Sequence, residues 1–152
     1  MTRLDAPLDH VTPYDRFSWS DTEVERLLVT GEHARELIGY FGAEEYRDLV
    51  KLANQTRRVT PAPDAPRVYI VPGIMGSQLG RARRAPLPHD VLWLDPIDIS
   101  VGQLAALRLP AQSEVISLGI VLYTYLRLKL HLRIAGFVPV CHDYDWRRGV
   151  DE

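Results

Sequence analysis

Residues 67–80, RVYIVPGIMGSQLG, join a strand-like run to a short loop that contains glycines. The run 67–71 predicts a buried β-strand, which Pro72 and Gly73 end. Three kinds of structure require glycines directly after such a strand: a phosphate-binding loop, an oxyanion hole, or a tight turn without a functional role. The chemistry of this stretch therefore depends on what surrounds Gly73 and Gly76.

A phosphate-binding loop is disfavoured by the spacing of the glycines. The P-loop pattern needs four residues between its glycines and a lysine after the second, whereas Gly73 and Gly76 are closer and no lysine follows. The dinucleotide fingerprint G-x-G-x-x-G fails because position 75 is methionine. Nucleotide binding is therefore not predicted.

A serine nucleophile would sit in a G-x-S-x-G turn between a strand and a helix. Ser77 lacks both flanking glycines, Ser117 has only the second, and Ser113 has neither. The sequence therefore contains no complete nucleophile elbow.

An oxyanion hole fits the loop 72–76 better. In hydrolases that use such an elbow, one oxyanion donor is a backbone N–H from the loop after an early strand. Glycine lets the backbone turn toward a substrate oxygen without a Cβ clash. From spacing alone, the oxyanion loop and the plain turn are equally favoured.

The segment after residue 140 carries further candidate residues. Asp143 and Asp145 share one side of an extended chain and could act as an acid–base pair, but an ion pair of Asp145 with the arginines that follow is favoured. His142 and Asp143 lack a third metal ligand, so no metal site is predicted. Cys141 ends an apolar run and is expected to be a small buried hydrophobe rather than a nucleophile.

The elements around these residues begin with a helical region. We expect a loosely held arm over 1–19, and Ser20 with Glu23 forms a capping-box pattern for a helix that ends at Gly31. Two more helices are predicted over about 32–41 and 44–54, the last with apolar residues at helical spacing. Three prolines in 60–66 predict an extended linker.

The segment 126–134, LRLKLHLRI, gives conflicting signals. Its strict alternation favours a strand, but leucine, lysine and arginine favour a helix. We predict a helix with two apolar stripes, buried between a sheet and a covering layer and ended by Gly136. The run 137–141 then predicts a second buried strand, after which a charged loop follows.

Bulk composition excludes several classes of protein. The 152 residues are 46% hydrophobic and 25% charged, with a net charge of -2, so no basic field favours nucleic acid. The basic run 81–84 is expected to be a solvated loop. The longest apolar run, 116–126, is too short for the ~20 residues of a membrane span, and the N-terminus lacks the apolar core of a secretory signal. We expect a cytoplasmic protein without a transmembrane segment.

Three motifs in order, VPGIMGSQL, VLWLDP and GFVPVCHDYDWR, give residues 67–149 a resemblance to a known family. They resemble the lecithin:cholesterol acyltransferase-like family of α/β-hydrolases. The resemblance implies an α/β fold, with residues 67–152 as the N-terminal portion of a hydrolase fold, and it does not explain the helical region that precedes them. Together with the helix patterns and the prolines, it predicts a small helical N-terminal extension over 1–58, a linker over 59–66 and an incomplete hydrolase core over 67–152.

The resemblance also implies acyl-ester chemistry without a cofactor or a metal. The backbone N–H of Ile74 would be one oxyanion donor, with Met75 as the alternative, and both side chains would wall an acyl pocket. Asp145 and Arg147 would form a bracing pair, while Trp146 packs nearby. The family's nucleophile lies downstream of YDWR, so its Ser-Asp-His triad is expected outside these residues. A departure from the family is the His142-Asp143 pair, where a hydrophobic residue and a proline are expected.

A second hypothesis comes from another class of protein. The chain could be a non-catalytic hydrolase remnant that binds lipid or a partner protein. Two or three strands would leave sheet edges unpaired, which favours self-association through those edges.

Overall fold

The computed structural model describes residues 11–109 and 114–149, and its mixture of helices and strands places the chain in the α/β class. The α-helices are α1 (Asp21–Thr30), α2 (Ala34–Phe41), α3 (Ala43–Thr56), α4 (Pro96–Ser100) and α5 (Leu122–Ile134). The strands are β1 (Arg67–Ile70), β2 (Ser77–Arg81), β3 (Asp90–Trp93), β4 (Ile116–Ile120) and β5 (Val138–Cys141). Two 3₁₀ helices, Pro13–Ser18 and Gln103–Leu107, complete the described elements.

The chain divides into two compact units. One consists of Ser20–Pro72 and Ile120–His142, and the other of Met1–Trp19, Gly73–Gly119 and Asp143–Glu152. The helices of 20–56 thus share a unit with β1, α5 and β5. This grouping differs from the predicted domains, in which the helical extension ended at residue 58 and the linker at residue 66. That residues 1–58 form a separate domain stays a prediction.

The three predicted helices of the first unit are present, and local signals explain their ends. The Ser20 hydroxyl accepts a hydrogen bond of 3.2 Å from the N–H of Glu23 and caps α1. Gly31 ends α1 in the left-handed region, with φ of 78°, where glycine pays no Cβ penalty. The third helix is longer than the predicted 44–54, and its last turn continues to Thr56.

The helix predicted for the alternating segment is confirmed as α5. It packs against α3 and also against β1 and β5, so it lies between helices and a sheet. Leu126 and Leu130 are fully buried, but Leu128 is 47% exposed. The apolar stripe that contains Leu126 and Leu130 is buried, as predicted. The prediction that the stripe on the opposite side is also buried is wrong, because the packed elements cover only part of the helix circumference.

The buried side of α5 also carries charge. Lys129 is buried and its Nζ lies 2.5 Å from carboxylate oxygens of Asp21 and Glu25 on α1. Arg133 pairs with Glu25 as well. A lysine on a buried face is tolerated because two carboxylates compensate its charge.

β1 and β5 form a two-stranded parallel sheet, with Arg67 opposite Val138 and Ile70 opposite Cys141. Both were predicted to be buried strands, and this is wrong. In β1 only Ile70 is buried, whereas Tyr69 is 61% exposed, and β5 is half-buried throughout. The helix α5 packs against β1 and β5, and the side chain of Tyr69 points to the face of β1 opposite that of Ile70.

The second unit contains a three-stranded sheet in the order β3-β2-β4, in which β2 and β3 are antiparallel. Leu79, Leu92 and Val115 form its buried core. A Cβ at Gly80 would lie 2.0 Å from the carbonyl oxygen of Asp90, so glycine allows the two strands to approach at the bulge between residues 79 and 80.

Two predictions for this unit are wrong. The basic run 81–84 is not simply a solvated loop, because the Arg83 side chain is 7% exposed and bonds Asp15 at 2.7 Å and Asp90 at 2.9 Å. The described part of the predicted loose arm, residues 11–19, contains the 3₁₀ helix, with Thr12 and Asp15 buried. Asp15 also accepts the N–H of Val91 at 2.9 Å, which ties this segment to β3.

Candidate oxyanion loop

The glycine-containing loop forms a tight turn directly after β1. The N–H of Gly76 donates to the carbonyl oxygen of Gly73 at 2.9 Å, which closes a four-residue turn around Ile74 and Met75. Met75 has a positive φ of 66°, while Ile74 does not, and this pattern matches a type II turn. That turn normally has glycine or asparagine at its third position, so the methionine is a local outlier.

The positive φ of Met75 places the strain of the loop on a residue with a long side chain. Left-handed backbone costs roughly 1–2 kcal/mol for a residue with a Cβ, and such outliers cluster at functional sites. Gly73 needs no such conformation, and a Cβ there would meet nothing within 4 Å. No protein atom therefore requires glycine at position 73 within the described structure, and its predicted role, to avoid a clash with a substrate oxygen, stays a prediction.

A tryptophan from β3 fixes the orientation of this loop. The indole N–H of Trp93 donates to the carbonyl oxygen of Met75 at 2.9 Å. Trp93 packs on the core of the unit, and its ring meets that of Trp146 edge-on at 5.7 Å between centroids. The peptide that follows Met75 is thus tied to a packed aromatic pair.

The two predicted oxyanion donors lie together at the tip of this turn. Neither the Ile74 N–H nor the Met75 N–H donates a hydrogen bond to any residue in the described part of the chain. A backbone donor without an internal partner is available to water or to a ligand oxygen. Adjacent N–H groups on a fixed turn are the kind of donor that stabilises a developing oxyanion.

The side chains of the same two residues point away from the core. Ile74 is 78% exposed and Met75 is 51% exposed. Both are large apolar groups at the tip of a loop, where they face solvent. Their predicted role as walls of an acyl pocket stays a prediction.

The candidate serines occupy structural positions. Ser77 is fully buried at the start of β2, and its hydroxyl oxygen accepts the N–H of Tyr144 at 3.2 Å. The Ser117 hydroxyl oxygen is buried without a partner among the described residues, and Ser113 lies outside them. No serine hydroxyl in the described ranges is bonded to a histidine. The positions of Ser77 and Ser117 match the prediction that neither sits in a nucleophile elbow, and the same prediction for Ser113 concerns a residue outside the described ranges.

The YDWR motif has the bracing geometry that the sequence predicted. The Arg147 Nε donates to Asp145 Oδ1 at 2.8 Å, and the guanidinium also reaches the carbonyl oxygens of Val115 and Leu107 at 3.4 and 3.5 Å. The hydrogen bond from Arg147 lowers the pKa of the Asp145 carboxyl below its usual 3.8. The indole N–H of Trp146 donates to the carbonyl oxygen of Ser77 at 3.0 Å. The motif therefore ties residues 144–147 to β2 and to the residues before β4.

The remaining candidates do not assemble into a site. His142 is exposed, and its N–H continues the β1–β5 ladder by donating to Ile70 at 3.0 Å. Burial, followed by the nearby Asp21 carboxylate, raises the pKa of the Cys141 thiol to about 12, which opposes a nucleophilic role. No group of three or more acidic, histidine or cysteine side chains in 11–109 and 114–149 could hold a metal ion.

The sequence did not single out the contacts that fix this loop. Trp93 lies 18 residues after Met75, and Tyr144 lies 67 residues after Ser77. Such contacts have no periodic signature in the sequence. Sequence reasoning gave the loop its candidate donors but not its anchor.

Comparison with known proteins gives no family assignment. No family model, curated protein or solved structure matches the chain. No helix in the described part of the chain is both long and apolar enough to cross a membrane.

Proposed function

We propose that this chain is the oxyanion-loop portion of a lipase- or acyltransferase-like α/β-hydrolase that acts on acyl esters. The observation that carries the proposal is the turn after β1, where the N–H groups of Ile74 and Met75 have no acceptor within the described structure. The Ser-Asp-His triad is supplied by sequence outside these residues. The turn contributes one donor to the tetrahedral intermediate.

The parallel β1–β5 pair supports this proposal. In α/β sheets, ligands bind beyond the carboxyl ends of the strands. The turn follows the carboxyl end of β1 directly, as an oxyanion loop requires. The anchor from Trp93 keeps the donors in place before the substrate arrives, which is the basis of electrostatic preorganisation.

The turn itself suggests a clean test. Proline is favoured at the second position of a type II turn, so Ile74→Pro removes one N–H and preserves the turn. In the full product of the gene, this variant should lower kcat for a chromogenic ester by roughly 100- to 1,000-fold with little change in KM. Ile74→Ala retains the N–H and is the matched control. Equal activities of Ile74→Pro and Ile74→Ala would show that the N–H of Ile74 is not an oxyanion donor.

A second candidate function is non-catalytic binding of lipid through the same turn, and the exposure of the Ile74 and Met75 side chains favours it. In that case the product hydrolyses no ester. Binding to phosphatidylcholine vesicles would then weaken in Ile74→Asp but not in Ile74→Pro, which retains an apolar side chain. The two variants therefore separate the two candidates.

A further inference from the structure

The segment before α1 is attached to β3 by hydrogen bonds from buried side chains. We call residues 12–18, which contain the first 3₁₀ helix, the N-terminal strap. The carboxylate of Asp15 is fully buried: its Oδ1 accepts the N–H of Val91 at 2.9 Å, and its Oδ2 accepts from Arg83 at 2.7 Å. Arg83 also donates to Asp90, the first residue of β3, at 2.9 Å. The strap is therefore bonded to the start of β3 both directly and through Arg83.

The strap is also bonded to the residue that caps α4. The hydroxyl of Thr12 donates to Asp95 Oδ2, and both side chains are buried. The other carboxylate oxygen of Asp95 accepts the N–H of Ile97 at 2.7 Å and so caps α4. Trp93, the last residue of β3, lies two residues after Val91 and two before Asp95. The strap therefore holds the chain on both sides of this tryptophan.

The attachment of the strap restrains the direction of β3 as well as covering it. Phe17 contributes apolar burial, but Thr12 and Asp15 are polar and are buried beside it. Hydrogen bonds weaken steeply when their geometry changes, whereas apolar contacts are non-directional. A buried and satisfied network of hydrogen bonds makes the groups that it joins rigid. The strap therefore fixes the path of the backbone that carries Trp93.

Trp93 carries this restraint to the candidate oxyanion turn. Its indole N–H donates to the carbonyl oxygen of Met75 at 2.9 Å. The direction of a strand side chain follows from its backbone, so a displacement of β3 moves the indole. The peptide between Met75 and Gly76 moves with it, and the N–H of Gly76 is the group that closes the turn on Gly73. The strap, β3 and the turn all belong to one compact unit.

We propose that the N-terminal strap positions the candidate oxyanion turn, with Thr12 and Asp15 as positioning residues that act through β3 and Trp93. The docked strap keeps the indole where it meets the carbonyl oxygen of Met75, and release of the strap removes that fixed partner. Coupling of this kind is carried by packed side chains and hydrogen bonds that link two elements. Its consequence for the rate of ester hydrolysis rests on the proposed function, whereas its effect on the turn does not.

The test is amide hydrogen exchange of the 152-residue chain with a matched pair of variants at position 12. Thr12→Val has nearly the same shape but cannot donate to Asp95, whereas Thr12→Ser retains the hydroxyl. Because a buried acceptor loses its donor, Thr12→Val should accelerate exchange at Gly76 by about fivefold or more relative to Arg148. The N–H of Arg148 is hydrogen-bonded elsewhere in the same unit and serves as the reference. Thr12→Ser should leave this ratio unchanged.

A control variant separates positioning from a general loss of stability. Val115→Ala shortens a side chain in the core of the same unit and should lower stability without changing the ratio of exchange at Gly76 to that at Arg148. The proposal is overturned if Thr12→Val leaves Gly76 unchanged or accelerates both amides equally. It is also overturned if Val115→Ala is as selective for Gly76 as Thr12→Val is.

The rate of ester hydrolysis distinguishes failure of this proposal from failure of the proposed function. In the full product of the gene, Thr12→Val should lower kcat for a chromogenic ester and leave KM unchanged, and Thr12→Ser should restore kcat. An active product whose kcat is insensitive to Thr12→Val would overturn the positioning role. A wild-type product without esterase activity contradicts the hydrolase proposal alone, since exchange at Gly76 still decides the role of the strap.

Should Thr12→Val fail to fold, the unaltered chain decides instead. Exchange at Val91, whose N–H bonds the strap, and at Gly76 is then measured at increasing urea below the unfolding transition. If the strap positions the turn, the two amides open together, with the same dependence on urea. Openings with different dependences on urea would overturn the proposal.

Discussion

The indole N–H of Trp93 donates to the carbonyl oxygen of Met75 at 2.9 Å, and this bond ties the candidate oxyanion turn to the aromatic pair of β3 and the YDWR motif. A loop fixed in this way presents its donors without reorganisation. The bond also gives the turn a stability that can be measured separately from any activity.

Trp93→Phe should loosen the turn without destroying the core. Phenylalanine retains a ring to pack on Trp146 but cannot donate to Met75, so we expect a loss of about 1 kcal/mol in the free energy of unfolding. Amide hydrogen exchange should accelerate at Gly76, whose N–H closes the turn, and remain unchanged in α1. Unaltered exchange at Gly76 would show that the indole does not fix the loop.

Arg83→Ala should be among the most destabilising changes to a charged residue in this chain. It leaves the buried carboxylates of Asp15 and Asp90 without their shared arginine, and removing one partner of a buried pair typically costs about 3–5 kcal/mol. Urea unfolding should show this loss. The neighbouring exposed Arg84→Ala should change stability by less than about 0.5 kcal/mol. Similar effects of the two substitutions would contradict the buried ion pair.

The Asp145–Arg147 pair should make stability depend on pH. The hydrogen bond from Arg147 lowers the pKa of Asp145 in the folded state, so its contribution is complete above the unfolded pKa, near 3.8, and is lost as pH falls through the lower folded value. Asp145→Asn should therefore be less stable than the wild type at neutral pH, and the difference should shrink in acid. Urea unfolding of both proteins across this range measures the difference. A gap that is constant with pH would exclude the pair as its source.

Cys141 should resist alkylation while the protein is folded. The pKa of its thiol is about 12, compared with the usual value of 9.0. The folded protein therefore holds far less of the reactive thiolate at neutral pH than the unfolded chain does. Iodoacetamide should therefore react much more slowly with native than with urea-unfolded protein, and mass spectrometry gives both rates. Asp21→Asn should speed the native reaction only modestly, because burial is the larger cause of the shift. Equal rates for native and unfolded protein would contradict this assignment.

Local signals account for the parts of the fold that the sequence predicted. The caps at Ser20, Gly31 and Gly42 are properties of single residues, and helices α1 to α3 follow from them. The strands β1 and β5 were located correctly, but their burial was not, because burial depends on which elements cover each face.

The missed elements depend on partners far along the chain. No strand was predicted over Ser77–Arg81, but β2 begins at Ser77 and forms by pairing with β3. The apolar run 116–126 contains both β4 and the start of α5, which apolarity alone cannot separate. Arg83 was expected in solvent because no local pattern connects it with Asp15, 68 residues earlier. The candidate donors were predictable, since a motif carried them, but the tryptophan anchor was not.

The most direct test of the hydrolase account is the intact mass of the native gene product after reaction with a serine-reactive fluorophosphonate. We expect a mass well above the 17.3 kDa of this chain, increased by one probe on a serine outside it. A product of 17.3 kDa without the probe, or a probe attached to Ser77 or Ser117, would contradict the account.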